Sequence, residues 1–408
     1  MEKQKKIPVL RFPEYKEEWK EKKIGNIADK VNSGKTPLGG ESAYVESGVL
    51  FIRSQNVLDS VLSFENSTYI TEATNNTMKN SVVMANDILL NITGASLGRS
   101  CVVPKDFVIG NVNQHVCIIR LNKENEPAFV QPIFASQKGQ NIFTSLQTGS
   151  GREGLNFQSI KGISLSFPSL QEQTKIANFL TLVDKKLQTL KQKKTLLEEY
   201  KKGIMQQIYS QKIRFKDDNG NDFDDWEEKN LGEIITEYNE KSIINDQYVV
   251  LSSSMNGIKL QSDYFNKDVS SKDNTGYKIV PNGYFTYRSM SDTGSFTFNI
   301  QNIVEIGMVS PAYPVFKPKK NIESHFLAYY LNNSSKIIND ILSLKEGGTR
   351  YALSFNKFSK LEIEIPCLAE QTKIANFIKA IDTKINHCQS QIEKTEIWKK
   401  GLLQQMFI

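Results

Sequence analysis

The sequence predicts a mixed α/β chain in which two globular heads alternate with two long helices under an internal pseudo-two-fold symmetry. Three observations carry this. The run Glu-Gln-Thr-Lys-Ile-Ala-Asn-Phe at residues 172–179 returns unchanged at 370–377, an offset of 198 (370 − 172). A proline-free heptad pattern follows each copy. About 150 residues of short β-rich runs precede each copy, close to ordinary domain size. Two copies at so long a period mark a duplicated module, since a solenoid needs at least three stacked repeats.

The first head opens with Trp19…Ile24-Gly25. Apolar runs at 48–56, 87–94 and 111–120, bounded by Gly and Asn, read as strands. One helix is expected near 126–146, then a Gly-rich loop, then a final strand over 160–167. Pro168 ends that strand, and a helix begins beyond it. Its apolar residues Leu180, Val183, Leu187, Leu190, Leu197, Ile204 and Ile208 step by three and four, with Lys194 and Lys201 in the gaps. That is a coiled-coil seam. The second head opens with Trp226…Leu231-Gly232, an offset of 207 (226 − 19). Its strands are expected at 247–251, 283–288 and 312–316, its helix near 323–344 and its final strand at 358–365. Pro366 precedes the second seam: Ile378, Ile381, Ile385, Cys388, Ile392, Thr395, Lys399, Leu402 and Met406. The expected segments are residues 1–168, 169–212, 213–366 and 367–408.

Connectivity argues the direction of the helix pair. Each helix, at roughly 38 residues and 1.5 Å per residue, spans about 57 Å. A parallel pair obliges residues 210–225 to return that length, at roughly 50 Å fully extended. An antiparallel pair needs no return path, so an antiparallel coiled coil spacing two heads in a dumbbell is expected.

Composition bounds the rest. No apolar run reaches transmembrane length, and residues 1–6 are charged without an apolar core of a leader, so a soluble cytoplasmic chain away from membranes is expected. Cys101, Cys117, Cys367 and Cys388 have no CxxC spacing, which argues for reduced thiols and against zinc. The formal charge is +6, concentrated at 171–216 with 11 Lys+Arg against 4 Asp+Glu. That permits a nucleic-acid partner without demanding one.

Several patterns look catalytic and lack their context. Gly149-Ser150-Gly151-Arg152-Glu153-Gly154 fits GxGxxG, but it leads into a strand rather than opening a helix. Its counterpart, residues 347–352, loses two glycines and keeps Arg350. Gly34-Lys35-Thr36 lacks the first P-loop glycine, because Asp29 stands there. His115, His325 and His387 are far apart in the chain, without triad or metal spacing. Neither a metal site nor a catalytic residue is assigned.

Two variable β-rich heads, each closing with an Arg-bearing turn, a final strand, Pro-x-Leu-x-Glu-Gln-x-x-Ile and a long helix, resemble the specificity subunit of a type I restriction–modification enzyme. The matching residues are 168–176 and 366–374, and the likeness spans nearly the whole chain. The resemblance implies a non-catalytic subunit with two target recognition domains, each reading one half of a split DNA sequence. It implies helices that act as a ruler and dock two modification (methyltransferase) subunits. S-adenosylmethionine and ATP then belong to the modification and restriction subunits, and no cofactor to this chain. A structural adaptor bridging two proteins without meeting DNA is the rival from another class.

Polar residues on loops flanking strands are the candidate DNA contacts, since a rigid scaffold can carry variable loops. In head one these are Ser33, Lys35, Arg53, Gln55, Asn56, Ser96, Arg99, Gln114 and Arg152. In head two they are Ser252, Ser253, Lys259, Arg288, Ser289, Lys345, Arg350 and Tyr351. Arg152 and Arg350 occupy equivalent places in heads expected to read different sequences, which favours phosphate over base contact.

Overall fold

The computed structural model describes residues 7–147, 154–264, 273–344 and 350–408. The chain divides into two units, residues 1–191 with 390–408 and residues 192–389. Both unit boundaries fall inside the long helices, Leu170–Tyr209 and Leu368–Met406. Each unit is therefore a head with the near half of one helix and the far half of the other.

The helix halves run antiparallel within each unit. In the first, Asp184 pairs with Lys399 at 2.5 Å and Lys191 with Glu396 at 2.7 Å, so numbers rise on one helix as they fall on the other. In the second, Lys201 pairs with Asp382 at 2.7 Å, and Arg214, just past the helix end, reaches Glu370 at 2.8 Å. Lys201 and Lys399 are repeat equivalents, as are Asp184 and Asp382. Two of the lysines that interrupt the apolar seams, Lys201 and Lys399, are thus answered by aspartates across them, whereas Lys194 pairs with Glu198 on its own helix.

The heads differ in sequence and share a topology. Head one has a four-stranded antiparallel sheet in the order Ser100–Val102, Ile88–Asn91, Val116–Leu121, Ala28–Ser33. Head two repeats it with Asn299–Ile300, Phe285–Thr286, Val315–Pro318 and Ile235–Glu237. A second sheet in head one places Thr68–Ile70, Val49–Ile52, Gly110–Val112 and Val82–Val83 side by side, with Tyr44–Val45 on its edge. Its counterpart is Gly257–Leu260, Val249–Ser254, Ile306–Val309 and Lys278–Pro281. Each has one parallel pairing at the same place, Leu50 with Gly110 and Val249 with Gly307.

Three expectations need correction. The runs at 160–167 and 358–365 are not single strands. Each is a short helix, Phe157–Gly162 or Phe355–Phe358, then a short strand, Ser164–Phe167 or Glu362–Ile365. The cause is capping: Asn156 Oδ1 accepts from Ser159 N at 2.8 Å and Ser354 Oγ from Lys357 N at 3.3 Å. The single helix expected in each head is two, Pro127–Ala135 with Gln137–Leu146 and Ser324–Asn333 with Ser335–Ser343. Ser136 and Ser334 stand extended between them, and Ser136 also caps the second helix through Gly139 N. The run at 111–120 breaks at a turn over 113–115.

The repeated Glu-Gln pair joins head to helix. Gln173 Oε1 accepts from Glu126 N, the residue capping Pro127–Ala135, and its Nε2 donates to Pro168 O. Gln371 does the same with Glu323 N and Pro366 O. Glu172 takes two hydrogen bonds from Arg11, and Glu370 takes them from Arg214 and from Trp226 Nε1. All four acid and amide side chains are buried. The core of unit one runs from Trp19 and Phe129 to Phe407, that of unit two from Trp226 and Phe326 to Ile208.

Candidate nucleic-acid interface

In head one the strand ends converge through buried asparagine and backbone bonds. Asn91, fully buried at the end of Ile88–Asn91, donates to Ser54 O at 2.9 Å and to Ser96 Oγ at 3.2 Å. That ties the loop at 53–56 to the loop at 93–98. Asn113 N donates to Ile52 O, and Gly34 N donates to Asn113 O, each at 3.1 Å. Gly34 cannot carry a side chain, since a Cβ would lie 1.6 Å from Val112 O. Ile92 N donates to His115 O, and Thr93 bridges to Gly154.

Five candidates from four loops therefore meet at one end of the head: Ser33, Lys35, Arg53, Ser96 and Gln114. Gln55 shares the 53–56 loop and is exposed, as are Lys35 and Gln114. Arg53 sits half-buried with its guanidinium 5.8 Å from the Tyr44 ring. Arg152 lies outside the described residues, two positions before Gly154.

Two candidates are placed otherwise. Asn56 is buried: it accepts from Arg53 N at 3.0 Å and donates to Ser63 O and Glu65 O, so its amide is used inside the loop. Arg99 is exposed but lines a different cleft of unit one, with Leu187, Lys191 and Lys400 of the long helices.

In head two the candidates surround a cleft of about 440 Å³. Ser252, Ser253 and Arg288 line it. Lys259 stands opposite Ser252 across the hairpin. Ser289 O accepts from Leu353 N at 2.9 Å, and Ser291 pairs with Tyr351, which brings in the strand carrying Tyr351. Arg350 holds Asp292 of the cleft at 2.8 Å, with both side chains exposed. Ser253 is buried and bonded to Thr286 O and Asn299 Nδ2, so it shapes the cleft floor. Lys345 lies outside the described residues.

Sequence reasoning passed over Thr36, Thr93 and His115 in head one, and Asn256, Asp292, Thr297 and Tyr313 in head two. Spacing alone offers His115 only for metal or triad chemistry, although the sequence also places it in an Asn-Gln-His turn between two strands. No cluster of His, Cys, Asp and Glu among the described residues is arranged to hold a metal. No described helix is long and apolar enough to cross a membrane.

The model of the type I restriction modification DNA specificity domain matches residues 16–199 and again 223–395. The chain belongs to this family. It is a type I specificity subunit: a DNA-recognition component whose partner class is the methyltransferase. The type I restriction enzyme MjaVIII specificity subunit of Methanocaldococcus jannaschii is 23% identical over 431 residues, covering 98% of this chain and 93% of its own. Among solved structures, a type I restriction–modification S subunit from M. genitalium aligns with a TM-score of 0.60 at 15% identity, over 98% of this chain and 99% of that one. A chain from a structure addressing complex assembly and conformational transition of the type I system aligns at 0.53 and 17%, over 95% and 96%. At such identities the structural likeness speaks for the fold, and it spans both heads and both helices of the specificity subunit.

Proposed function

We propose that each head of this subunit reads one half of an asymmetric, split double-stranded DNA target, and that the repeated helices dock two modification subunits. The observation that carries this reading is a contrast. The heads share the strand order of both main sheets, apart from the extra edge strand Tyr44–Val45 of head one, yet their strand ends present different chemistry: Lys35, Arg53 and Gln114 in one, Ser252, Arg288 and Tyr351 in the other. A common scaffold with divergent loops suits two readers of two sequences. Arg suits guanine and Gln suits adenine in the major groove. Arg350 and Arg152, alike in both heads, suit phosphate.

The helices repeat their surface as well as their seam. Tyr200 and Trp398 are repeat equivalents, each an exposed aromatic followed by Lys-Lys-Gly. Aromatic anchors of this kind dominate protein interfaces, and a duplicated anchor suits two copies of one partner. In this reading the chain has no catalytic group, works in the cytoplasm, and leaves S-adenosylmethionine and ATP to modification and restriction subunits. The helix pair sets the unread spacer.

Methyl transfer and gel-shift assays test this together. The purified chain alone transfers no methyl group, and with modification subunits it forms a 2:1 complex that methylates a bipartite motif. Turnover by the chain alone, or an assembled complex indifferent to DNA sequence, contradicts the reading. The second of these favours the adaptor.

A further inference from the structure

At the strand ends of head one, four side chains from three loops form a single hydrogen-bonded relay. Thr36 Oγ1 donates to Gln114 Oε1 at 2.7 Å. Gln114 Nε2 lies 3.1 Å from His115 Nε2, and His115 Nδ1 lies 2.6 Å from Thr93 Oγ1. Gln114 Nε2 carries only protons, so it donates and His115 Nε2 accepts. The imidazole proton then sits on Nδ1 and is given to Thr93. The relay is polar. Turning the Gln114 amide over presents its oxygen to His115 and its NH₂ to Thr36, so the histidine tautomer and both hydroxyls must reverse with it. The backbone supports the histidine: His115 N donates to Asn113 Oδ1 at 3.0 Å, and His115 O accepts from Ile92 N at 3.0 Å.

The relay uses one acceptor position and one donor proton of the Gln114 amide. One acceptor lone pair and one N–H remain on a side chain that is exposed. That is the complement of an adenine major-groove edge, where N6–H donates and N7 accepts. A free glutamine turns its amide alone, whereas Gln114 turns only if the histidine tautomer and both hydroxyls reverse with it, so the relay couples the order of donor and acceptor to His115 and Thr36.

We infer that Gln114 is the adenine-reading residue of head one, and that His115 and Thr36 are positioning residues that fix its amide direction. This rests on the function proposed above. Among the described candidates of head one, Gln114 is the one whose side chain is both exposed and held at its two polar atoms by other side chains.

The test uses the full chain with its modification subunits in cells, with methylated positions mapped across the genome. Gln114→Ala removes the reader, and discrimination at one adenine of one half-site falls by between about 5- and 150-fold. His115→Phe keeps a ring and removes the acceptor, and relaxes the same position. His115→Gln restores an acceptor near the Nε2 place and retains the wild-type motif. The half-site read by head two stays intact in all three, which shows that each variant folded and assembled. A motif unchanged by Gln114→Ala overturns the reader. A motif unchanged by His115→Phe, or relaxed equally by His115→Gln, overturns the relay. A wild-type complex that methylates no bipartite motif overturns the proposed function itself, independently of any variant.

Discussion

Arg11 grips Glu172 with two hydrogen bonds, Nε to Oε1 at 2.7 Å and Nη2 to Oε2 at 2.8 Å, across 161 residues of chain. The carboxylate is almost wholly buried. Arg214 grips Glu370 in the second unit in the same way. The hydrogen bonds to Glu172 and Glu370 raise the pKa of each guanidinium above the usual arginine value, against the opposing effect of burial. Next to each arginine a phenylalanine meets the helix edge-on, Phe12 on Phe179 and Phe215 on Phe377. Arg-Phe is thus a third repeat, at an offset of 203 (214 − 11), which fastens the segment before each head to the start of the helix after it.

Breaking one partner of a buried pair leaves an uncompensated charge, at about 3–5 kcal/mol. Arg11→Ala is expected to destabilise the first unit on that scale, read as a lower urea midpoint at unchanged m-value. Arg214→Ala costs less, because Trp226 Nε1 still donates to Glu370 at 3.2 Å. Equal, negligible shifts in both variants exclude a structural role for the pairs.

The thiols separate by burial. Cys101 and Cys117 are buried, and desolvation pushes both up to about 12. At pH 8 they remain protonated and poor nucleophiles. Cys367 is exposed. Iodoacetamide on the native chain therefore labels Cys367 first, read by peptide mass spectrometry, and labelling of Cys101 at a comparable rate contradicts the packed sheet.

Arg350 and Asp292 test the phosphate assignment. Arg350→Ala is expected to weaken DNA binding without changing the motif and to lower the salt slope by about one unit. Asp292→Asn removes a competing carboxylate and should strengthen binding. A changed motif in Arg350→Ala makes it a base reader instead.

Lengthening the first long helix tests the ruler. Four residues inserted near Lys191 add about 6 Å, comparable to about two base pairs at 3.4 Å each. Both half-sequences should persist while the unread spacer grows by one or two base pairs. An active variant with the original spacer shows that the helices do not set it.

The helices were legible because their signal is redundant. The heptad step, the missing prolines and the repeated Glu-Gln all point to the same elements, and the observed bounds begin within two residues of Pro168 and Pro366. The convergence of strand ends was legible only in part. Lys35 and Gln114 are readable because polar residues beside Gly and Asn turns stay exposed, and Arg288 because it follows directly on an apolar strand run. Asn56 and Ser253 give no inward signal in sequence, yet both are buried: the Asn56 amide serves the backbone of its own loop, and Ser253 falls on the inward face of the strand Val249–Ser254, bonded to Thr286 O and Asn299 Nδ2. The Arg-Phe repeat escaped notice because two residues at a third offset carry no statistical weight, although buried pairing makes them structural anchors.

Independence of the two readers is tested most directly by mapping methylated sites in cells that carry this subunit with its modification partners, wild type beside a triple variant Ser252→Ala, Arg288→Ala, Tyr351→Ala. A bipartite, asymmetric motif in the wild type, with one half relaxed and the other retained in the variant, is the expected result. A continuous motif, loss of both halves together, or no change in either half would contradict it.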